Sequence, residues 1–242
     1  MLPKIIHYCW FGGKDKPESV LEYINTWKKC MPEYEIKEWN ESNFNVESLH
    51  FTSQAYMLHK YAFVTDYVRM KALYEYGGLY LDTDIKMLKS LDPLCEKGSF
   101  VGMEIWDCYG TGVIGANKGE DWLRRMMKYY ETQNFIGWFG LPHSLPNTQV
   151  LTKMYPNHSL PVTIYPIDYL TAKDWETGEY MITDNTYCIH DYSKTWLRQK
   201  PIDHKVMRMQ NVLQLIKWFI MRFKTLCFNR RKLMSYENFS NK

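Results

Sequence analysis

Cysteine is sparse and unpatterned in this chain. Its six residues, at positions 9, 30, 95, 108, 188 and 227, form no CxxC pair and keep no regular spacing. That argues against a structural zinc cluster and against the disulfide framework of a small secreted domain. An h-region and a small-residue cleavage site are also missing from MLPKIIHYCWFGG, whose short apolar run gives way at once to Gly-rich and charged sequence. It reads as a first core strand in a protein of the reducing cytoplasm, not as an export signal. There is no internal repeat, no low-complexity segment and no clear linker before about residue 200.

What the chain does have is apolar and aromatic mass. At 242 residues, 45% hydrophobic and 16% aromatic, it can bury one substantial core. The net charge of +3 hides an asymmetry. From Lys205 onward nine Lys/Arg face one acid, Glu237, which leaves 21 basic and 26 acidic residues before it, or about +8 against −5. A nucleic-acid-binding body is thereby disfavoured, and the tail needs its own explanation.

Periodicity supplies the organisation. KIIHYCWF reads as a buried strand, and PESVLEYINTWKKCM as a helix that starts after a proline and carries Val20, Ile24, Trp27 and Met31 on one stripe. YEIKEWN alternates like a second strand, so the opening order of strand, helix, strand is that of a nucleotide-binding α/β sheet. Residues 61 to 76 follow as a helix stopped by two glycines, and LYLDTDI as a strand. SFVGMEI and GTGVIGANK are further short strands; 121 to 133 is helical, with Trp122, Met126 and Tyr129 in one stripe; 134 to 160 reads as ordered loop around a short helix.

The aspartates of LYLDTDI raise the chemical question. In an extended strand, residues i and i+2 share a face and stand roughly 6.6 Å apart, so Asp82 and Asp84 are expected to project together. Two such carboxylates repel each other and resist desolvation unless a cation or a basic group neutralises them. A hard divalent ion does this well. Alone, the pair reads equally as a solvated, acidic strand end. Its company adds weight: Asp66 and Arg69 fall on the mainly apolar stripe of the preceding helix, either as a local i,i+3 ion pair or as groups that reach a polar ligand at the sheet edge.

Taken in order, PKIIHYCWFGG, AFVTDYVRMKALYEYGGLYLDTDI and CIHDYSKTW resemble the DXD-containing glycosyltransferase family of bacterial capsular-polysaccharide sugar transferases and yeast initiating mannosyltransferases, with the glucosylating clostridial toxins more distant. The resemblance covers about residues 3 to 200. It implies a GT-A fold, a Rossmann-like α/β sandwich, with a catalytic domain over 1–203; composition and periodicity, and not the resemblance, set off a basic amphipathic helical segment over 204–242. It matches Trp10 to the tryptophan stacked on the nucleotide base, and Asp66 and Arg69 to the pair on the donor-sugar hydroxyls. Asp82 corresponds to the first aspartate, beside ribose and sugar, and Asp84 to the second, a direct metal ligand. His190 is the candidate second ligand, with Ser193 and Trp196 beside the β-phosphate; Asp191 is the alternative to His190. A carboxylate and imidazole mixture suits Mn²⁺ better than Mg²⁺. In place of the family's Gly-Pro element before a Leu-Thr pair, this chain has LPNTQVLT, so its acceptor side is less well defined; Trp138, Phe139 and His143 are the residues to look at there.

The resemblance implies metal-dependent, retaining transfer of a hexosyl or N-acetylhexosaminyl group from a nucleoside-diphosphate sugar, with uridine as nucleotide, to a lipid-linked saccharide in capsule or lipopolysaccharide synthesis. The alternatives are a non-catalytic nucleotide-sugar binder and a metal-dependent phosphohydrolase using the DxD pair, although the latter's motif usually sits on the first strand. In the tail, Met209, Val212, Leu213, Ile216, Phe219, Ile220, Phe223, Leu226 and Cys227 form one helical stripe flanked by basic residues. Interruptions at Gln214, Lys217, Arg222 and Lys224 exclude a spanning helix of about 20 apolar residues. The stripe either packs on the core or seeks an anionic membrane surface, and its lack of acids favours the latter, on the inner face of the cell membrane. A chain ended near residue 203 is therefore expected to keep donor binding and lose its association with anionic vesicles, and the intact chain to be released partly as salt rises. Vesicle sedimentation measures both.

Overall fold

The computed structural model describes residues 1–104, 107–136 and 145–192. All of them but Ile136 belong to one compact unit; the other unit takes in 136–142 and 195–242. The boundary expected at 203, the basic tail, Trp138, Phe139, His143, Ser193 and Trp196 lie outside the described residues.

Strand β1 (Ile5–Cys9), helix α1 (Glu18–Cys30) and strand β2 (Glu35–Trp39) open the chain as expected, with β1 and β2 parallel. Pro17 stands at the start of α1, and Val20, Ile24, Trp27 and Met31 are buried. Helix α2 (His50–Met57), which periodicity did not suggest, precedes α3 (Tyr61–Tyr76) and β3 (Gly78–Leu81). Strand β4 (Ile85–Met87) and the short helix α4 (Asp92–Cys95) follow. After them come β5 (Phe100–Glu104), β6 (Cys108–Ala116), α5 (Asp121–Thr132), α6 (Asn147–Met154), β7 (Thr163–Tyr165), α7 (Ile167–Leu170) and β8 (Cys188–His190). On α5 the buried aromatic partner of Trp122 and Met126 is Tyr130, while Tyr129 is only half-buried, one position off the expected stripe.

The result is a mixed α/β fold. Six strands form one sheet in the order β2-β1-β3-β6-β5-β7, and β4 pairs with β8 in a separate antiparallel ribbon. β3 runs parallel to β1 and antiparallel to β6, so the carboxyl ends of β2, β1, β3 and β5 and the amino-terminal half of β6 share one edge. Strand alternation distributes the side chains. Ile6, Tyr8, Leu79 and Leu81 join α1 in the main core cluster, whereas the Tyr80 ring lies under the Arg69 guanidinium of α3 at 4.7 Å.

Two glycines allow the passage from α3 into β3. Gly77 (φ +69) donates its N–H to Leu73 O and closes the helix. Gly78 (φ +99) brings the strand so close to β1 that a Cβ there would stand 2.5 Å from Ile5 O. Among the described residues, no helix is long and apolar enough to cross a membrane.

His7, fully buried on β1, secures the same corner. Trp39 Nε1 donates to its Nδ1 at 3.2 Å, which leaves Nε2–H to donate to Gly77 O at 3.0 Å. This is a neutral imidazole, and burial lowers its pKa to about 4. Between that value and 6.5 the unfolded chain binds the extra proton, so the stability this arrangement supplies is complete above pH 6.5 and is lost as pH falls toward 4. Between pH 7 and 4.5 urea unfolding should show a loss of about 2 to 3 kcal/mol that a His7→Gln variant lacks.

Candidate functional site

The DxD segment is not a continuous strand. β3 stops at Leu81, residues 82 to 85 make a turn closed by Ile85 N–H on Asp82 O (3.1 Å), and the chain resumes as β4 in the other sheet. The two carboxylates therefore meet through a turn, not through the pleat of one strand. Asp82 keeps the alternation of β3. It lies on the Tyr80 side, accepts from Tyr80 OH at 2.8 Å, and donates its N–H to Gly112 O at 2.8 Å.

Beneath Asp82 is a buried ion-pair group. Arg69 Nη2 stands 3.3 Å from both Asp66 Oδ1 and Asp82 Oδ1, and Nη1 donates to Thr111 O at 2.6 Å. Arg69 Nε is buried without a partner among the described residues. The i,i+3 pair forms, and the same guanidinium also bridges to Asp82 at the end of β3 and to Thr111 O of β6. Burial pushes the Asp66 carboxyl up to about 6 even though Arg69 pulls it down. Burial also opposes charge on Arg69, but Asp82, Tyr80 and Asp66 outweigh it and keep the guanidinium protonated.

The ribbon of β4 and β8 brings in His190. Ile85 and His190 are register partners, and Asp191 N–H donates to Asp84 O at 2.9 Å. His190 Nε2 consequently stands 3.2 Å from Asp84 Oδ1, and one donor atom each from Asp82, Asp84 and His190 lie within 4.8 Å of one another. Burial works against charge on this imidazole, but Asp84, followed by Glu104 and Asp82, raises its pKa to about 9. Asp191, the alternative to His190, is otherwise engaged: Lys173 Nζ approaches its Oδ1 at 2.7 Å and Tyr23 OH donates to its Oδ2 at 2.8 Å.

Trp10 follows β1 at the same edge of the sheet. Its indole is partly buried against the core cluster, and Nε1 donates to Lys14 O at 2.6 Å. It lines an open cleft of about 380 Å³ with Lys16, Glu38, Asn40 and Glu41. Such a flat ring at a cleft wall, near carboxylates at the carboxyl ends of parallel strands, is where open α/β sheets take ligands.

Sequence reasoning missed Glu104 and two glycines. Glu104 ends β5 with its Oε1 4.0 Å from His190 Nδ1, and burial raises its carboxyl pKa although His190 opposes the shift. A Cβ on Gly112 would lie 3.0 Å from His190 Cε1 and 3.2 Å from Asp82 Oδ2, so glycine keeps the space between those groups open. The alternation of glycine in GTGVIG, at 110 and 112, was the available signal.

Removing Arg69 would leave the buried Asp66 and the partly exposed Asp82 without their counter-ion. Arg69→Met is expected to lower stability in urea by about 3–5 kcal/mol. Lys71→Met, which breaks the more exposed i,i+4 pair with Glu75, should cost no more than about 0.5 kcal/mol.

Comparison with known proteins bears on the same residues. Residues 17–101 match the family model described as a glycosyltransferase sugar-binding region containing DXD motif. Inositol phosphoceramide mannosyltransferase 3 of Schizosaccharomyces pombe is 29% identical over 136 residues, 52% of this chain and 36% of that protein. Inositol phosphoceramide mannosyltransferase 1 of the same yeast is 29% identical over 111 residues, 41% and 33% of the two. The chain thus spans about a third of the length of these curated relatives. Among solved structures, the PaToxG glycosyltransferase aligns over 64% of this chain and 70% of its own, at 18% identity and a TM-score of 0.49. The segment matched by the sugar-binding-region model, 17–101, contains Asp66, Arg69, Asp82 and Asp84, and His190 lies outside it.

Proposed function

We propose that this chain is a metal-dependent, retaining glycosyltransferase that moves a hexosyl or N-acetylhexosaminyl group from a uridine-diphosphate sugar to a lipid-linked saccharide in capsule or lipopolysaccharide synthesis. The observation that carries the reading is the approach of Asp82, Asp84 and His190 to within 4.8 Å, at the carboxyl edge of the sheet and in part within the family's sugar-binding region. Relatives named for mannosyl transfer to inositol phosphoceramide support an acceptor borne on lipid. The basic composition of 204–242 supports attachment to the inner membrane face.

The donor set fits a hard divalent cation. Two carboxylates and one imidazole suit Mn²⁺, with Mg²⁺ second, and the missing Cβ of Gly112 leaves the space between His190 and Asp82 open. In this reading Asp84 and His190 hold the ion. Asp82, oriented by Tyr80 and Arg69, faces ribose and sugar. Asp66 and Arg69 serve the donor sugar, and because both Nη atoms of Arg69 are engaged, it does so chiefly by fixing the two aspartates. Trp10 stacks on the base. Ser193 and Trp196 are assigned to the β-phosphate by resemblance.

The bond from the anomeric carbon to the diphosphate breaks as the acceptor oxygen bonds on the same face. The acceptor's proton passes to the departing phosphate oxygen, so no protein base is required. A divalent cation bound there would offset the negative charge gathering on the diphosphate. Asp82 and Asp84 lie side by side, which disfavours glycoside hydrolysis, where two carboxylates flank the bond.

A panel of nucleotide sugars tested calorimetrically, with Mn²⁺ and with chelator, should yield one donor bound only with metal and slowly hydrolysed. Asp84→Asn should abolish turnover with an unchanged circular dichroism spectrum. Near-normal activity of Asp84→Asn at limiting Mn²⁺ would remove the metal assignment, and binding without any turnover would favour the non-catalytic binder.

A further inference from the structure

We propose that Glu104 is a positioning residue for His190: its carboxylate takes the imidazole Nδ1–H and thereby presents Nε2 to a divalent cation shared with Asp84. The inference rests on the metal reading above. It is carried by geometry at the far side of the ring.

The imidazole is bracketed by carboxylates at its two nitrogens, with Asp84 Oδ1 3.2 Å from Nε2 and Glu104 Oε1 4.0 Å from Nδ1. Among the described residues His190 is the one cationic group within 4.0 Å of Glu104, a carboxylate whose side chain is only 14% exposed. A carboxylate so little exposed requires a partner. The backbone fixes the approach. His190 N–H donates to Thr171 O at 2.8 Å, and Thr171 Oγ1 donates to Met103 O at 3.3 Å, next to Glu104.

The ring plane is held as well, since Tyr192 stacks on it with centroids 3.9 Å apart. Stacking leaves open which nitrogen faces the cation, and a carboxylate on one side settles it. β6 clears the space for both groups: a Cβ on Gly110 would lie 3.2 Å from Glu104 Cγ, and one on Gly112 3.0 Å from His190 Cε1. A small cavity of about 10 Å³, near the least that admits one water, is lined by Glu104 and His190 together. The 4.0 Å separation therefore closes by a small rotation or through one bridging water.

The test is a double-mutant cycle read as affinity for Mn²⁺ alone, from the electron paramagnetic resonance of the free ion. Glu104→Gln is expected to weaken binding about 10–100-fold, the range for outer partners of metal-bound histidines. Glu104→Asp, which keeps the charge, should recover most of it. In a His190→Asn background Glu104→Gln should change affinity less than about twofold, because nothing remains for Glu104 to orient. Equal losses in both backgrounds, or no loss on Glu104→Gln while Asp84→Asn abolishes binding, would overturn the inference and leave the metal reading standing. Undiminished binding by Asp84→Asn would overturn the metal reading itself.

Discussion

A guanidinium cannot shed its charge at any ordinary pH, so once Arg69 is placed under the sheet edge the fold must bring it acceptors. Two carboxylates and one carbonyl answer that need: Asp66 from its own helix, Asp82 from the end of β3, and Thr111 O from β6. Three elements are thereby drawn to one point, and Asp82 is held in one orientation. The burial that makes the group costly to assemble also makes it costly to break.

From that point the chain leaves the main sheet. The turn at 82 to 85 hands β3 over to β4, and β4 is seated by α1, where Trp27 Nε1 donates to Ile85 O at 2.7 Å and Thr26 Oγ1 accepts from Met87 N at 2.9 Å. With β4 fixed, pairing with β8 places His190 opposite Ile85. Asp84 and His190 become neighbours through strand register in a two-stranded ribbon, although they belong to distant parts of the sequence.

The glycines of β6 make the reverse contribution, by what they omit. Their bare backbone gives Glu104, His190 and Asp82 room to face one another across a strand that would otherwise fill the site with side chains. A site assembled at the common edge of parallel strands and lined by carboxylates is electrostatically unfavourable when empty, and the protein offsets this with Arg69 on one side and the His190 imidazolium on the other.

Much of this was legible in the sequence because it is local. The stripe of α1, the helix 61 to 76 and the glycine pair that ends it follow from periodicity and backbone sterics, and the placing of Asp66 and Arg69 on one face follows from helical spacing. What periodicity left out is what pairing decides. The break of the DxD segment into a turn, α2, the second ribbon and the part of Glu104 all depend on contacts between residues far apart in sequence, and no local propensity records them. The shift from Tyr129 to Tyr130 has the same origin, since Phe51 of α2, 4.9 Å from the Tyr130 ring, selects which aromatic of α5 is buried. Residue type and local spacing establish which positions carry charge on buried faces and which turns require glycine. Which of those charges meet is settled on folding, because a carboxylate's neighbours are set by strand register and sheet order, which are properties of the folded chain.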